Sequence, residues 1–427
     1  WTSTLPLASR SFFYPSVSTA FVWSDLFFKN SNLINLGKFR FSYAETAKDI
    51  PPYANQSVYT VQLTSGAGFL YDFTNNSPGI VPERQKTFEV GTELSFFKNR
   101  LGFDVTYYNT RNIGQIVSGI RLSYGTGFIL STLNVADTKN EGVEAIVRFE
   151  PVKTKDFSWK ANINFARNWN LVTDLPANLS EYYNSDSWIG NYRNGIVKGQ
   201  PTTTLTGQTY LRNNAGDILI DPVTGLPQVD GTYRIIGDRL PRFTAGFQNI
   251  FTYKNFSLSI LLDYRHGGDI LNGNELFWTT VGLSKRTLDR EVPRVIQGVL
   301  ADGLQNTPNP TRNTMSITPY FYQDIYTSRA LASDFMEKGV KWLWCRDITM
   351  RYNFTRQQLA KSKWFDRVSA FITCTDPFII TNYSGLNPNS NGNTPGTRGV
   401  GSFGIDFGTM PNPLGFNMGV QVGFKNR

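Results

Sequence analysis

Stretches of about ten residues in which apolar and polar side chains alternate recur along the whole chain, and the links between them are alternately short and long. From Phe88 to Phe96, the apolar set Phe88, Val90, Leu94 and Phe96 interleaves with Glu89, Gly91, Glu93 and Ser95. Phe103, Val105 and Tyr107 interleave with Asp104, Thr106 and Tyr108. Trp159, Ala161, Ile163 and Phe165 interleave with Lys160, Asn162, Asn164 and Ala166. Near the end, Phe416, Met418, Val420, Val422 and Phe424 interleave with Asn417, Gly419, Gln421 and Gly423. Period two places successive side chains on opposite faces of a strand, so each segment has one apolar and one wet face.

The pattern predicts about eleven strands, near 11–24, 35–46, 86–97, 100–112, 139–150, 158–172, 241–252, 256–267, 341–353, 365–376 and 412–425. Short links fall at 25–34, 98–99, 151–157, 253–255 and 354–364, the last reading as one or two helical turns. Long links fall at 47–85, 113–138, 173–240, 268–340 and 377–411. The link at 268–340 is too long to be structureless in a compact domain, so local elements are expected within it. A soluble sandwich also alternates, but nothing makes it sort its connections by length. A membrane-spanning barrel does, with short turns on the periplasmic side and long loops outside.

Composition agrees. Aromatic residues make up 14% and charged ones only 18%, which argues against disorder. No apolar run approaches the ~18 residues of a membrane helix, so a chain that spans a membrane this way must close its strands into a barrel. The fold class expected is therefore all-β, a transmembrane antiparallel barrel. With the loops outside, the final strand runs inward and leaves Arg427 in the periplasm. Trp1 lies near the outer loops. An odd number of strands starting outside is not a whole barrel, which has an even number, so the chain reads as a fragment.

The net charge of +9 is scattered, much of it in short turns such as Lys98, Arg100, Lys153 and Lys254, with no basic helix or finger spacing; nucleic acid is not an expected partner. With two cysteines and a single histidine, no disulfide framework, His-based metal centre or common catalytic triad is expected. Catalytic, cofactor and metal residues are all read as none.

At several places the chain resembles the SusC/RagA family of TonB-dependent outer-membrane transporters. The motifs are Tyr14-Pro15-Ser16-Val17-Ser18, Pro82-Glu83-Arg84, Phe88-Glu89-Val90-Gly91, the hairpin from Asn99-Arg100-Leu101-Gly102-Phe103 to Asn109, and Asn140-Glu141-Gly142-Val143-Glu144. Asp156-Phe157-Ser158-Trp159 and Tyr264-Arg265-His266-Gly267-Gly268-Asp269-Ile270 complete the set. The resemblance covers nearly the whole of 1–427. It implies the C-terminal part of a plugged barrel of ~22 strands, a size whose lumen holds a plug. The plug and TonB-contacting segment would precede this chain. Implied partners are a SusD-like surface lipoprotein, TonB through that upstream part, the plug, outer-membrane lipid, and an oligosaccharide or peptide cargo. The implied setting is the outer membrane of a Gram-negative bacterium of the Bacteroidota. The resemblance implies no enzyme activity and leaves open a scaffold role in a surface or secretion assembly, or a passive pore. In 211–239, where relatives often carry a calcium-type loop, Asp217 to Gly225 lacks the alternating Asp/Asn spacing that calcium ligation needs.

Individual residues have two readings each. Glu89, Glu93, Asp104 and Glu144 point inward, either to meet plug arginines or simply as solvated carboxylates. His266 stands beside Gly267-Gly268, whose simplest role is a bend at the strand's outer end. Trp342 and Trp344 read as an outer aromatic girdle, with sugar stacking as the alternative. Cys345 falls with the inward set Leu343, Asp347 and Thr349, and Cys374 with the apolar set, so a disulfide requires a bulge that shifts the register.

Overall fold

The computed structural model describes residues 1–29, 31–62, 66, 68–71, 74–121, 130–187, 191–322, 325–326, 329–389 and 404–425; Arg427 lies outside them. Eleven strands follow one another antiparallel and in chain order through one sheet: β1 (Ser16–Val22), β2 (Ile34–Lys48), β3 (Glu83–Phe96), β4 (Leu101–Arg121), β5 (Leu130–Lys153), β6 (Phe157–Asp174), β7 (Phe243–Tyr253), β8 (Phe256–His266), β9 (Lys341–Asn353), β10 (Phe365–Thr381) and β11 (Gly415–Phe424), and a short twelfth, Thr74–Asn76, pairs parallel to the start of β5. Each of the eleven pairs with its sequence neighbours, so the number and order read from the sequence hold. β1 is shorter than expected at its start, where Leu7–Ser9 forms a 3-10 turn ahead of Pro15.

At the short-link end the turns are tight. Phe97, Lys98 and Asn99 all have positive φ (55°, 57° and 65°), and the Asn99 amide donates to Asn35 Oδ1 at 3.1 Å. Lys254, with φ 50°, turns β7 into β8. The expected helical turn is Arg356–Leu359, capped reciprocally by Thr355 and Gln358.

At the long-link end β4 and β5 run to 21 and 24 residues, about twice what a membrane crossing needs. Their upper halves stand clear of the apolar band and bury Ile120, Val135 and Ala136 against Val172, Leu175, Tyr182 and Ile196. Leu5 packs with Ile50 and Ile80 of the β2–β3 loop, which places the N-terminal segment at this end, as expected for Trp1.

The wall itself has little core, as a one-layer sheet must. The largest core cluster lies in the loops, where Tyr192, Leu205 and Ile236 of the β6–β7 loop meet Leu271, Leu276, Phe335 and Met336 of the β8–β9 loop and Ile405 of the β10–β11 loop. The β6–β7 loop contributes a small sheet of Glu181–Ser187, Tyr192–Val197, Thr204–Gly207 and Arg234–Asp238. The β8–β9 loop carries helix α1 (Gly273–Thr280), N-capped by Asn272, and a strand Ile270–Asn272 that joins Met336–Glu337 to Ile405–Asp406. The expected local elements are thus present, and three loops form one cap with a shared core.

Candidate functional site

The cross-strand register assigns every wall residue to a face. One face is apolar and carries Phe39, Phe41, Phe88, Val90, Met350, Ile372, Phe416, Met418 and Val420, all exposed to the surroundings. The other presents rungs such as Lys38–Glu93–Asp104 and Asn164–Gly246–Asp263, continuous across neighbouring strands. Phe88 to Phe96 therefore keeps its greasy side outward, uncovered by protein. The polar side is the candidate lumen.

All four expected inward carboxylates lie on the polar face. Asp104 pairs with Arg40, whose Nη2 also donates to Thr106 Oγ1 at 3.1 Å. Glu93 lies 3.7 Å from Lys38 Nζ, and Glu89 accepts from Ser42 at 3.5 Å. Glu144 makes no hydrogen bond or ion pair with a described residue and lines a cavity of about 620 Å³ with Arg40, Asp104, Asn164, Asp263 and Arg346. Above it, Tyr108 reaches across Gly142 to donate to Asn168 Oδ1 at 3.1 Å, and a side chain at Gly142 would meet that hydroxyl at 2.5 Å. The glycine of the Asn140-Glu141-Gly142 motif is needed for this close approach.

A paired irregularity near the mouth corrects two sequence readings. Between Cys345 and Asp347, β9 carries Arg346 as one residue more than β8, and β10 answers with Asp376 and Pro377. One extra residue exchanges the faces of everything beyond it. Trp342 and Trp344 consequently share rungs with Arg265 and Asp263 on the polar face. Only 4% of each is exposed, packed with Ile270, Val340 and Tyr383, so they are not an outer girdle. Arg265 stacks over Trp342 at 5.0 Å and Arg346 over Trp344 at 3.9 Å. By the same shift Cys345 joins the outward rung of Leu262 and Phe378, and Cys374 that of Ile348 and Phe416. The bulge brings the two onto one face, yet both thiols are free.

Phe243, Tyr264 and His266 form the outward aromatic cluster at the outer strand ends. The His266 ring stacks on Phe243 at 5.3 Å, and its Nδ1 lies 3.3 Å from Tyr264 Oη. Gly267 and Gly268, with φ of 83° and 91°, make the bend that carries the chain off the wall.

At this bend wall and cap are joined. Arg265 donates to the Arg239 carbonyl at 2.7 Å and to the Gly267 carbonyl at 3.1 Å. Asp269 accepts from Lys338 Nζ at 3.0 Å, Gly339 N at 2.9 Å and Asp238 N at 3.0 Å. Deeper in the cap, the Tyr210 hydroxyl lies 2.7 Å from both Asp334 Oδ2 and the Arg329 carbonyl, between which its single proton is shared. Burial pushes the Asp334 carboxyl up and raises the Tyr210 phenol further. Sequence reasoning passed over these residues. The signal was the Tyr264–Ile270 motif itself, whose Arg265 and Asp269 rather than His266 hold the junction.

In the 211–239 segment Asp221 caps its own turn by accepting from Val223 N and Thr224 N, and Asp217 pairs with Arg312 at 3.1 Å. No cluster of three or more His, Cys, Asp or Glu side chains occurs among the described residues. What the site offers is a polar, ion-paired wall under folded loops.

Comparison with known proteins gives this geometry its context. The model of the family described as "TonB dependent receptor-like, beta-barrel" matches residues 2–290. The chain is 26% identical to TonB-dependent receptor P3 of Formosa agariphila over 96% of its own length and 42% of that protein's. It is 23% identical to TonB-dependent receptor SusC of Bacteroides thetaiotaomicron over 80% of this chain and 32% of that one. A solved structure of the RagAB peptide transporter superposes with a TM-score of 0.71 at 20% identity, covering 98% of this chain and 44% of that one. The chain thus spans less than half the length of the relatives it matches. Its eleven-strand wall, sorted loops and polar inner face, together with the family match, make it a member of the TonB-dependent receptor β-barrel family of the outer membrane, similar in sequence to SusC and in fold to the RagAB transporter.

Proposed function

We propose that this chain is the barrel portion of a TonB-driven importer that takes up glycan oligomers or peptides with a SusD-like lipoprotein as its lid. The observation that carries the reading is the coupling of a charged, hydrogen-bonding inner face to a mouth whose loops share a core. A porin-like channel needs only a polar wall. An importer of large cargo also needs a shaped, rigid rim on which a lid and ligand seat, and the cap has the burial to be one. The relatives fit this reading: one is named SusC, and one solved neighbour is titled a peptide transporter.

Glycan and peptide both suit a rim of asparagine, tyrosine and paired charges. The test is to tag the full-length protein, purify it from native membranes, and identify by mass spectrometry the lipoprotein and the oligomer that come with it. A co-purifying surface lipoprotein, with uptake of the bound oligomer lost when TonB is deleted, supports import. Uptake unchanged without TonB overturns it. Absence of both lipoprotein and cargo points instead to a scaffold in a surface assembly.

A further inference from the structure

The outward face of the wall changes character abruptly. Phe41, Val90, Tyr107 and Val143 form one apolar rung, in direct cross-strand register. Two rungs nearer the long loops, the outward row reads Glu45, Lys86, Arg111, Lys139. Three cations stand directly opposite one another on β3, β4 and β5. Like charges in direct register weaken a sheet, so the row as it stands is unfavourable to the wall.

The neighbouring carboxylates relieve it only in part, at Lys86 and Lys139. Glu45 accepts from Tyr43 Oη at 2.6 Å and pairs with Arg84 at 2.8 Å and Lys86 at 3.2 Å. Glu141 pairs with Lys139 at 2.8 Å and accepts from Tyr107 Oη and Asn109 Nδ2, each at 3.1 Å. Arg84, Lys86, Arg111 and Lys139 thus outnumber the two carboxylates by two. Arg111, exposed between Lys86 and Lys139, makes no hydrogen bond or ion pair with any described residue.

Height places this charge. From Phe96, at the short-turn end of β3, to Lys86 the strand rises roughly 34 Å along its axis, or about 26 Å at a tilt of ~40°. An outer-membrane apolar band is ~25 Å tall, so the row lies where acyl chains give way to headgroups. A groove of about 450 Å³ opens there, lined by Tyr43, Lys86, Phe88, Tyr107, Asn109 and Arg111. Its lower edge is aromatic and its upper edge cationic.

We infer that this groove holds the phosphate of an anionic lipid of the outer leaflet, on Arg111 and Lys86, with the acyl chains descending over Phe88 and Phe41. A guanidinium takes a phosphate in a forked pair of hydrogen bonds, and the anion supplies the counter-charge that Arg111 lacks between Lys86 and Lys139. The assignment rests on family and register, and stands whichever cargo the lumen carries.

The test is native mass spectrometry of the full-length protein in detergent, titrated with monophosphoryl lipid A. The expected result is a Kd about tenfold weaker for R111Q/K86Q than for the wild type. The dephosphorylated lipid should bind the wild type equally weakly, and inorganic phosphate should leave the bound lipid in place. R111Q alone, at an exposed side chain without partners, keeps the test open if the double variant folds poorly. Unchanged affinity in R111Q overturns the site. Complete displacement by inorganic phosphate overturns the lipid assignment. An equal loss in K363Q, at the opposite end of the wall, reduces the effect to general electrostatics and sinks it too.

Discussion

Arg346 Nη2 stands 2.6 Å from Asp263 Oδ2, with Nε at 3.1 Å from the same oxygen, because β9 holds one residue more than the strand it pairs with. The bulged residue is turned to the polar side, where it also faces Asp376 at 3.7 Å and covers Trp344. About a quarter of the Arg346 side chain and a third of Asp263 remain exposed, so water weakens the pair without dissolving it.

The first prediction concerns this pair. R346M should cost about 1–2 kcal/mol, since it leaves two carboxylates facing each other. D263N should cost less, and in the double variant the losses should fail to add, by about 1 kcal/mol. Urea unfolding of the protein in vesicles supplies the cycle; additive losses would mean that the contact contributes nothing to the bulge.

Face assignment is tested one residue apart on β8. Ile260 is outward, five residues above the turn and near mid-membrane, while Ser259 faces the lumen beside Thr349. I260R should destabilise by about 2–4 kcal/mol in lipid, and S259R by under about 1 kcal/mol. Equal costs would contradict the two-sided wall.

Gly268 and Gly216 share nearly the same φ, 91° and 90°. A Cβ on Gly268 would collide with the Arg265 guanidinium and lie 2.7 Å from the Arg239 carbonyl, whereas at Gly216 nothing lies within 4 Å. G216A should cost about 1 kcal/mol, from φ alone, and G268A roughly 2 kcal/mol more. Their difference, read by thermal unfolding, isolates the packing of the wall–cap bend.

Tyr383 donates to Asp406 Oδ2 at 3.0 Å inside the cap, where Asp406 is fully buried. Y383F removes a donor from a buried carboxylate and should cost roughly 1.5–3 kcal/mol. Y43F removes a donor from Glu45, which keeps Arg84 and Lys86, and should cost less. A reversed order in thermal melts would mean that the cap is wetter than its core implies.

Asp230 lies in the β6–β7 loop and accepts from Thr232 through both hydroxyl and amide and from Arg234. The Thr232 hydroxyl, foremost, then these other donors hold its carboxyl down from 3.8 to about 2. A depressed folded pKa stabilises above the unfolded value and is lost as pH falls through the folded one. Hydrogen exchange at 228–238 should therefore accelerate between pH ~4 and ~2 relative to the rest of the cap, and D230N should remove that step. A step surviving in D230N would belong to another group.

Strand number, order and the sorting of loops were legible because period-two alternation and turn residues are local signals, readable at Phe88–Phe96 without knowledge of anything distant. So was the inward side of Glu89, Glu93 and Asp104, since no irregularity between β3 and β4 separates them from the turn at Phe97–Asn99 where the count begins; Glu144 follows from its direct register with Thr106, although β5 shifts against β6 between Phe149 and Val152. The faces of Trp342 and Cys345 depended on Arg346: Trp342, Trp344, Ile348, Met350 and Tyr352 keep one unbroken parity in the sequence, so the alternation runs straight through the bulge and only the charge of Arg346 interrupts it.

The chain by itself determined that there would be a one-layer wall, greasy outside and wet inside, because side-chain direction along a strand follows residue by residue. Only the tertiary structure decided that the loops would be a cap with a common core, and that Arg265 and Asp269 would hold it to the wall. Those contacts join segments far apart in sequence: Tyr192 meets Leu271 and Ile405 by closing long loops around a shared apolar surface, and no periodicity within any one loop encodes the others.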